Sequence, residues 1–336
     1  MYKTTTSHHH SNIDRNSAKA KTTSAETESF NKKVDDKIVS LIDQVLLENL
    51  KSKLIKLSSY HTRHTKSACI NAVAEWLKNE FEFIGYRDVS YHHYKEKFGT
   101  KEYNLKNIIC KKDGNYNKAI LLCAHYDSRL NKKDDYTSRA PGANDNASGV
   151  SAILEIARIL YDIPTEYSIQ FVLFSGEEQE LVGSKHYSEY VKEKDIDIFR
   201  LINLDMIGNP YPDPNIVIIE VDNNDDLDYN RTPKNDNDSI KFGKMMRNLT
   251  STYTNLEFEP GLIYSSDYEH FESKGFVVVG VYDGGAVDLG NNRNPNYHSI
   301  TDTSDKIDWN YLTSVTKMVL ATILTLDKEL NHINQH

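Results

Sequence analysis

Short, continuous apolar runs recur along the chain, and each has the length of a β-strand. They occupy residues 119–124, 168–174, 201–204 and 276–281. Runs without polar alternation are typical of strands that are buried on both faces of a mostly parallel sheet. The pattern therefore predicts such a sheet at the centre of the fold.

Longer segments carry apolar side chains at helical spacing and lie between or around these strands. They cover residues 34–54, 67–84, 150–160 and 308–330. Gly85 follows the second segment directly, and glycine is the usual residue just past the end of a helix. We therefore predict an α/β fold with a central mixed, mostly parallel β-sheet flanked by helices on both faces, in a single domain.

The first part of the chain has a different composition. Residues 1–33 are mainly threonine, serine, lysine, asparagine and histidine, with almost no apolar side chains. Such a segment buries too little apolar surface to offset the entropy lost on ordering. We predict a disordered N-terminal tail over residues 1–33 and one folded domain over residues 34–336.

Composition narrows the possible partners and the location. The net charge of -9 disfavours binding to nucleic acid or to an anionic membrane surface. No apolar stretch approaches the roughly 18 to 20 residues of a membrane span, and the first residues lack the apolar core of a signal peptide. These features favour a cytoplasmic location, with secretion left open.

The three cysteines lack CxxC spacing, which argues against a disulfide framework.

Five short segments place an imidazole or a carboxylate at the end of an apolar run, at the start of a helix or in a polar loop. The candidates are His125, Asp145, Glu178, Asp205 and His298. Polar residues that follow parallel strands meet at one edge of the sheet, and the predicted helix after Asp145 begins near the same edge. Two imidazoles and three carboxylates suit two zinc ions, with one carboxylate bridging both.

The segments HYD, GANDNASG, SGEE, LDMIG and YHSITDTSD together resemble the M28 family of zinc peptidases, which includes dinuclear aminopeptidases. The resemblance extends from about residue 57 to about residue 326, and the ordered set is more specific than any one motif. It implies that His125 and Asp205 complete one zinc site. Glu178 and His298 would complete the other, with Asp145 bridging the two ions.

The resemblance also implies roles for three further residues. Asp127 orients His125, as carboxylates commonly do for metal-bound imidazoles. Glu177 is the general base, and Tyr297 donates a hydrogen bond to the oxyanion. This agrees with the chemistry of peptide hydrolysis, which requires a polarised carbonyl and a deprotonated water.

Each motif has a structural interpretation when taken alone. His125 and Asp127 fit a surface hydrogen-bonded pair, Asp145 fits a helix N-cap, and Glu177 and Glu178 fit a solvated loop. Other catalytic motifs are missing from the sequence: HExxH, GxSxG, a Walker A loop and GxGxxG after a strand.

The sequence therefore predicts a dinuclear zinc-dependent exopeptidase with two zinc ions per chain, most directly an aminopeptidase acting on peptides. Carboxypeptidase activity, glutaminyl-peptide cyclisation with one zinc, and a non-catalytic binding module stay open as alternatives. Two further segments are noted. In the segment SSDYEHF, Tyr268 stands where histidine is usual in the family, which favours a packing role for this loop over a polar one. Residues 209–237 form either a substrate-selecting rim or a solvated loop.

Overall fold

The computed structural model describes most of the chain after the predicted tail. The described residues are 34–210, 213–223, 234–284, 287–288, 291–292 and 294–333. The tail predicted for residues 1–33 lies outside them, as does much of the acidic loop within residues 209–237.

An eight-stranded mixed sheet forms the centre of the fold. Its strands are β1 (Asp88–Phe98), β2 (Lys101–Lys112), β3 (Tyr116–His125), β4 (Tyr167–Phe174), β5 (Ile198–Leu204), β6 (Ile216–Val221), β7 (Glu257–Leu262) and β8 (Val278–Tyr282). Their order across the sheet is β1-β2-β4-β3-β5-β8-β6-β7. The four central strands β4, β3, β5 and β8 are parallel, whereas β1–β2, β2–β4 and β8–β6 pair antiparallel. The predicted fold class is confirmed.

Helices pack on the sheet. Their bounds are α1 (Asp36–Ile42), α2 (Leu47–Ser59), α3 (Ile70–Ile84), α4 (Gly149–Leu160), α5 (Val182–Glu193), α6 (Asp236–Tyr253), α7 (Glu269–Glu272) and α8 (Trp309–Ile333). A separate ribbon pairs β9 (Val287–Asp288) with β10 (Asn291–Asn292). Among the described residues, no helix has both the length and the apolar composition needed to cross a membrane.

The apolar stripe of residues 34–54 forms two helices, not the single helix that its spacing indicates. The break lies between α1 and α2, where Leu46 has an extended backbone. The backbone N–H of Leu46 donates to the buried Glu155 carboxylate of α4 at 2.7 Å. This long-range hydrogen bond satisfies a donor at the start of α2, so the chain begins a new helix there.

The β1–β2 hairpin was not predicted, because its strands are largely polar and their apolar run Ile108–Cys110 is short. Phe98 pairs with Lys101 across a two-residue connection. Gly99 in that connection has a φ of +63°, a backbone conformation that glycine adopts without steric cost. The hairpin extends the sheet beyond its parallel centre.

The largest apolar cluster lies between the sheet and several helices. It includes an aromatic group in which the Phe81 ring of α3 lies 6.0 Å from Phe171 of β4 and 6.3 Å from Tyr86, between ring centroids. Phe81 is fully buried, whereas Phe83, on the same helix, is 88% exposed. The helix thus presents two phenylalanines to opposite environments.

We expect Phe81→Ala to lower the free energy of unfolding by about 3 to 5 kcal/mol, because it removes buried apolar contacts and leaves a cavity. Phe83→Ala is the matched control and should change it by no more than about 0.5 kcal/mol. Denaturant unfolding followed by circular dichroism measures both. Similar effects of the two substitutions would contradict this packing of α3.

Candidate metal centre

The carboxyl ends of the central strands bring several candidate residues to one edge of the sheet. His125 is the last residue of β3, and Asp205 follows β5 directly. Glu177 and Glu178 follow β4 in a single 3₁₀ turn. Because β4, β3 and β5 are adjacent and parallel, these side chains converge as the sequence predicts.

Asp145 reaches the same edge from an irregular turn over Ala143–Ser148, so the expectation that it opens a helix is wrong. Its φ and ψ of -109° and 91° are not helical, and α4 begins only at Gly149. The Asn146 side chain accepts from the Gly149 N–H at 2.9 Å. Asn146 therefore serves the start of the helix, and the Asp145 carboxylate faces the two imidazoles instead.

The five candidate ligands form two groups that share Asp145. In one group, Nε2 of His125 lies 3.3 Å from Oδ1 of Asp145 and 3.2 Å from Oδ1 of Asp205. In the other, Nε2 of His298 lies 3.0 Å from Oδ2 of Asp145 and 3.0 Å from Oε2 of Glu178. Within each group the potential ligand atoms all lie within 4.8 Å of one another. The two oxygens of Asp145 thus face different groups.

Asp127 links the histidine of the first group to the glutamate turn. Its Oδ1 lies 3.5 Å from Nδ1 of His125. Its two oxygens also accept hydrogen bonds from the backbone N–H groups of Glu177 and Glu178, each at 3.3 Å, and Oδ2 accepts from the Thr65 hydroxyl at 2.9 Å. One fully buried carboxylate therefore sets the positions of both segments.

Two supporting residues were not identified from the sequence. Asp302 accepts hydrogen bonds from the backbone N–H of Asn144 at 2.8 Å and from that of Asp145 at 3.0 Å. The Ser266 hydroxyl donates to Oδ2 of Asp205 at 2.7 Å. Asp302 lies in the motif YHSITDTSD, so its position was visible in the sequence, but its contact with the turn was not.

The electrostatics of the shared carboxylate differ from those of an isolated buried acid. Burial opposes ionisation of Asp145, but hydrogen bonds from His125 and His298 outweigh it and hold its pKa well below the usual range. Burial also lowers the pKa of His298, but Glu178 and Asp145 outweigh it and raise that pKa to about 9. The carboxylates thus favour positive charge at the imidazoles.

The pKa of Glu177 shifts in the opposite direction to that of Asp145. Burial raises its pKa well above the usual value, and the neighbouring carboxylates Asp205 and Glu178 raise it further, against the opposing effect of His125. In addition, Oε1 of Glu178 is buried without a hydrogen-bond donor in the described part of the chain. A buried, ligand-rich group with an unsatisfied carboxylate oxygen is a donor set that fits divalent cations.

The groups open into a cavity of about 520 Å³. Tyr297 lines it and stacks on His298, with ring centroids 3.6 Å apart. Burial raises the pKa of the Tyr297 hydroxyl above its usual value, so the phenol keeps its proton. Arg129, which sequence reasoning missed, also lines the cavity and donates from Nε to Oε2 of Glu178 at 2.6 Å.

Comparison with known families identifies the group to which this arrangement belongs. The model of peptidase family M28 matches residues 107–323, more than half of the chain. The chain belongs to peptidase family M28. The matched range includes each of the five candidate ligands, together with Asp127, Glu177 and Tyr297.

Individual relatives match only part of this chain. A probable zinc metalloprotease from Pyrenophora teres f. teres is 31% identical over 191 residues, which is 52% of this chain and 40% of that protein. The chain thus matches well under half the length of this relative.

Two solved structures show the same fold. The LapA aminopeptidase of Legionella pneumophila superposes with a TM-score of 0.70 at 22% identity, covering 90% of this chain and 78% of LapA. The glutaminyl cyclase of Porphyromonas gingivalis also gives a TM-score of 0.70, at 20% identity, covering 84% of this chain and 99% of the cyclase.

We expect Asp302→Asn to weaken metal binding by about 10- to 100-fold, in the range seen when partners of ligand residues are lost. An asparagine amide offers one acceptor oxygen, so the Asn144 and Asp145 N–H groups can no longer each meet a carboxylate oxygen. The control is Asp305→Asn, because Asp305 is exposed and contacts only its own turn in the described residues. Titration of metal-stripped protein measures both affinities. Unchanged affinity in Asp302→Asn would contradict this role.

Proposed function

We propose that this M28 chain is a dinuclear zinc exopeptidase that removes N-terminal residues from peptides. The observation that supports it most directly is the position of Asp145, whose two oxygens face two separate donor groups. A carboxylate shared in this way suits a pair of ions held close together.

In this proposal His125, Asp205 and Asp145 would hold one zinc ion. Glu178, His298 and the shared Asp145 would hold the other. Imidazole nitrogens and carboxylate oxygens are both established zinc ligands. The carboxylate of Asp127 faces Nδ1 of His125, which favours the tautomer that leaves Nε2 free for a metal.

When bound, zinc polarises the peptide carbonyl and lowers the pKa of water. Glu177 accepts the proton of the attacking water and passes it to the nitrogen of the leaving amine, so that one water is consumed for each peptide bond broken. Its raised pKa supports a group that holds a proton between these two transfers. The Tyr297 phenol stabilises the oxyanion by donating a hydrogen bond.

The cavity supports action at a chain end. It is lined by several carboxylates, among them Glu177 and Asp205, and such groups attract a free α-ammonium. The aminopeptidase named among the structural neighbours, LapA, is consistent with an N-terminal substrate. Peptides with a free N-terminus are therefore the proposed substrates.

Glutaminyl-peptide cyclisation is the second candidate, because a glutaminyl cyclase has the same fold at an equal TM-score. The two donor groups of this chain favour two ions and hydrolysis. The reaction products distinguish a hydrolase from a cyclase. A hydrolase releases the first residue of a peptide, whereas a cyclase releases ammonia from an N-terminal glutamine and keeps the residue. Cleavage of N-blocked peptides at the C-terminus would instead indicate a carboxypeptidase.

We expect about two zinc ions per purified chain, with chelation abolishing N-terminal release and zinc restoring it. Chelation should also lower the melting temperature, because the ions bind the folded site and not the unfolded chain. Elemental analysis, peptide mass spectrometry and thermal unfolding test these outcomes. Full peptidase activity in metal-stripped protein would refute the proposal.

The two adjacent glutamates should behave differently when each is changed to glutamine. Glu177→Gln should retain both zinc ions while kcat falls by about 10²- to 10⁴-fold, because an amide cannot accept the proton of water. Glu178→Gln should lose zinc from one site, because a neutral amide is a poorer ligand. Zinc content and kcat are measured on both variants. Zinc loss confined to Glu177→Gln would reverse the two roles.

A further inference from the structure

An acidic side chain that the proposed chemistry does not use lies in the wall of the cavity. Glu220 belongs to β6, whose sequence IVIIEV is otherwise apolar. Alternate residues Val217, Ile219 and Val221 are buried in the core. Glu220 lies on the opposite face of the strand, is partly exposed, and lines the cavity that contains the two donor groups.

The neighbouring strand is shaped to admit this carboxylate. Gly280 of β8 pairs with Glu220 on one side and with Asn203 of β5 on the other. A Cβ atom at Gly280 would lie 2.3 Å from Oε2 of Glu220, so any larger residue would displace the carboxylate. Strand neighbours lie about 4.8 Å apart, which places β6 about 10 Å from β5, the strand that leads to Asp205.

Glu220 has a neutral partner and no cationic one in the described part of the chain. The Tyr268 hydroxyl lies 2.8 Å from its Oε2. Burial raises the pKa of Glu220 to about 8, an effect that the Tyr268 hydrogen bond only partly offsets. A cation placed beside the carboxyl would favour its ionised form and lower that pKa.

The lysine and the arginine that line the cavity each pair with another carboxylate. Arg129 pairs with Glu178, and Lys133 pairs with Glu180 at the exposed rim. Asp145, Glu177, Glu178 and Asp205, which also line the cavity, belong to the two donor groups or act as the proposed general base. Glu220 is therefore a carboxylate available to a charge that the substrate brings.

We propose that Glu220 binds the side-chain cation of an N-terminal lysine or arginine, so that this chain prefers peptides with a basic first residue. The inference rests on the proposed exopeptidase function. Tyr264, Tyr268 and Tyr282 line the same cavity. Tyr268 and Tyr282 are buried, whereas Tyr264 is half-buried and offers its ring to the aliphatic stem and the charge of a lysine or arginine side chain.

The test compares substrates that differ by one charge. For wild-type protein, kcat/KM for lysyl and arginyl p-nitroanilides should exceed that for the norleucyl derivative by about 10- to 100-fold, in keeping with a hydrogen bond to a charged group. Norleucine matches the stem of lysine without its ammonium. Glu220→Gln should lower the two basic values by a similar factor and leave the norleucyl value within about threefold.

Glu180→Gln is the matched control, because it removes a carboxylate from the rim of the same cavity. It should preserve the preference for basic residues. If wild-type protein cleaves the norleucyl substrate as well as the lysyl and arginyl ones, the inference is wrong, but the exopeptidase function stands. The inference would also be wrong if Glu220→Gln kept the preference for basic residues, or if Glu180→Gln lost it to the same extent. The wild-type comparison does not depend on any variant folding. Failure to release any N-terminal residue would instead refute the function itself.

Discussion

The candidate metal centre of this M28 chain depends on bringing acidic side chains together at the edge of the sheet where four parallel strands end. Asp145, Glu177, Glu178 and Asp205 meet there beside two imidazoles, largely out of contact with water. Such a group is costly to bury unless positive charge and hydrogen bonds compensate it. The raised pKa of His298 and the lowered pKa of Asp145 both reflect this demand. Divalent cations would meet it directly, which connects the stability of the site with its proposed chemistry.

A second set of buried acids keeps the first in place. Asp127 contacts His125 and accepts from the backbone of the glutamate turn, while Asp302 accepts from the backbone that leads into Asp145. Each acid therefore joins segments that are far apart in sequence. Backbone N–H groups are fixed donors, so they define position more closely than flexible side chains do. The geometry of the proposed ligands thus depends on residues that would not touch the metals.

In our proposal the same cavity also selects the substrate. The two donor groups would act on the peptide bond, whereas Glu220 lies two strands away from Asp205 and its strand β5. Chemistry and recognition are thus assigned to different strands of one sheet. Gly280, between them, makes room for the Glu220 carboxylate. In an M28 scaffold with the proposed ligand residues, a single acidic residue on a neighbouring strand would therefore change which peptides are preferred.

Local features of the sequence determined the central strands, the end of α3 at Gly85 and the positions of His125 and Asp205 at strand ends, because apolar runs and glycine act over a few residues. The family resemblance assigned the five candidates to two zinc sites that share Asp145. Tertiary structure alone decided the break before α2, where Glu155 reaches Leu46, and the non-helical turn at Asp145, which Asp302 supports. It also decided that Glu220 faces the cavity over Gly280. These features join residues about 60 to 160 positions apart, and no short-range pattern records which distant partners meet.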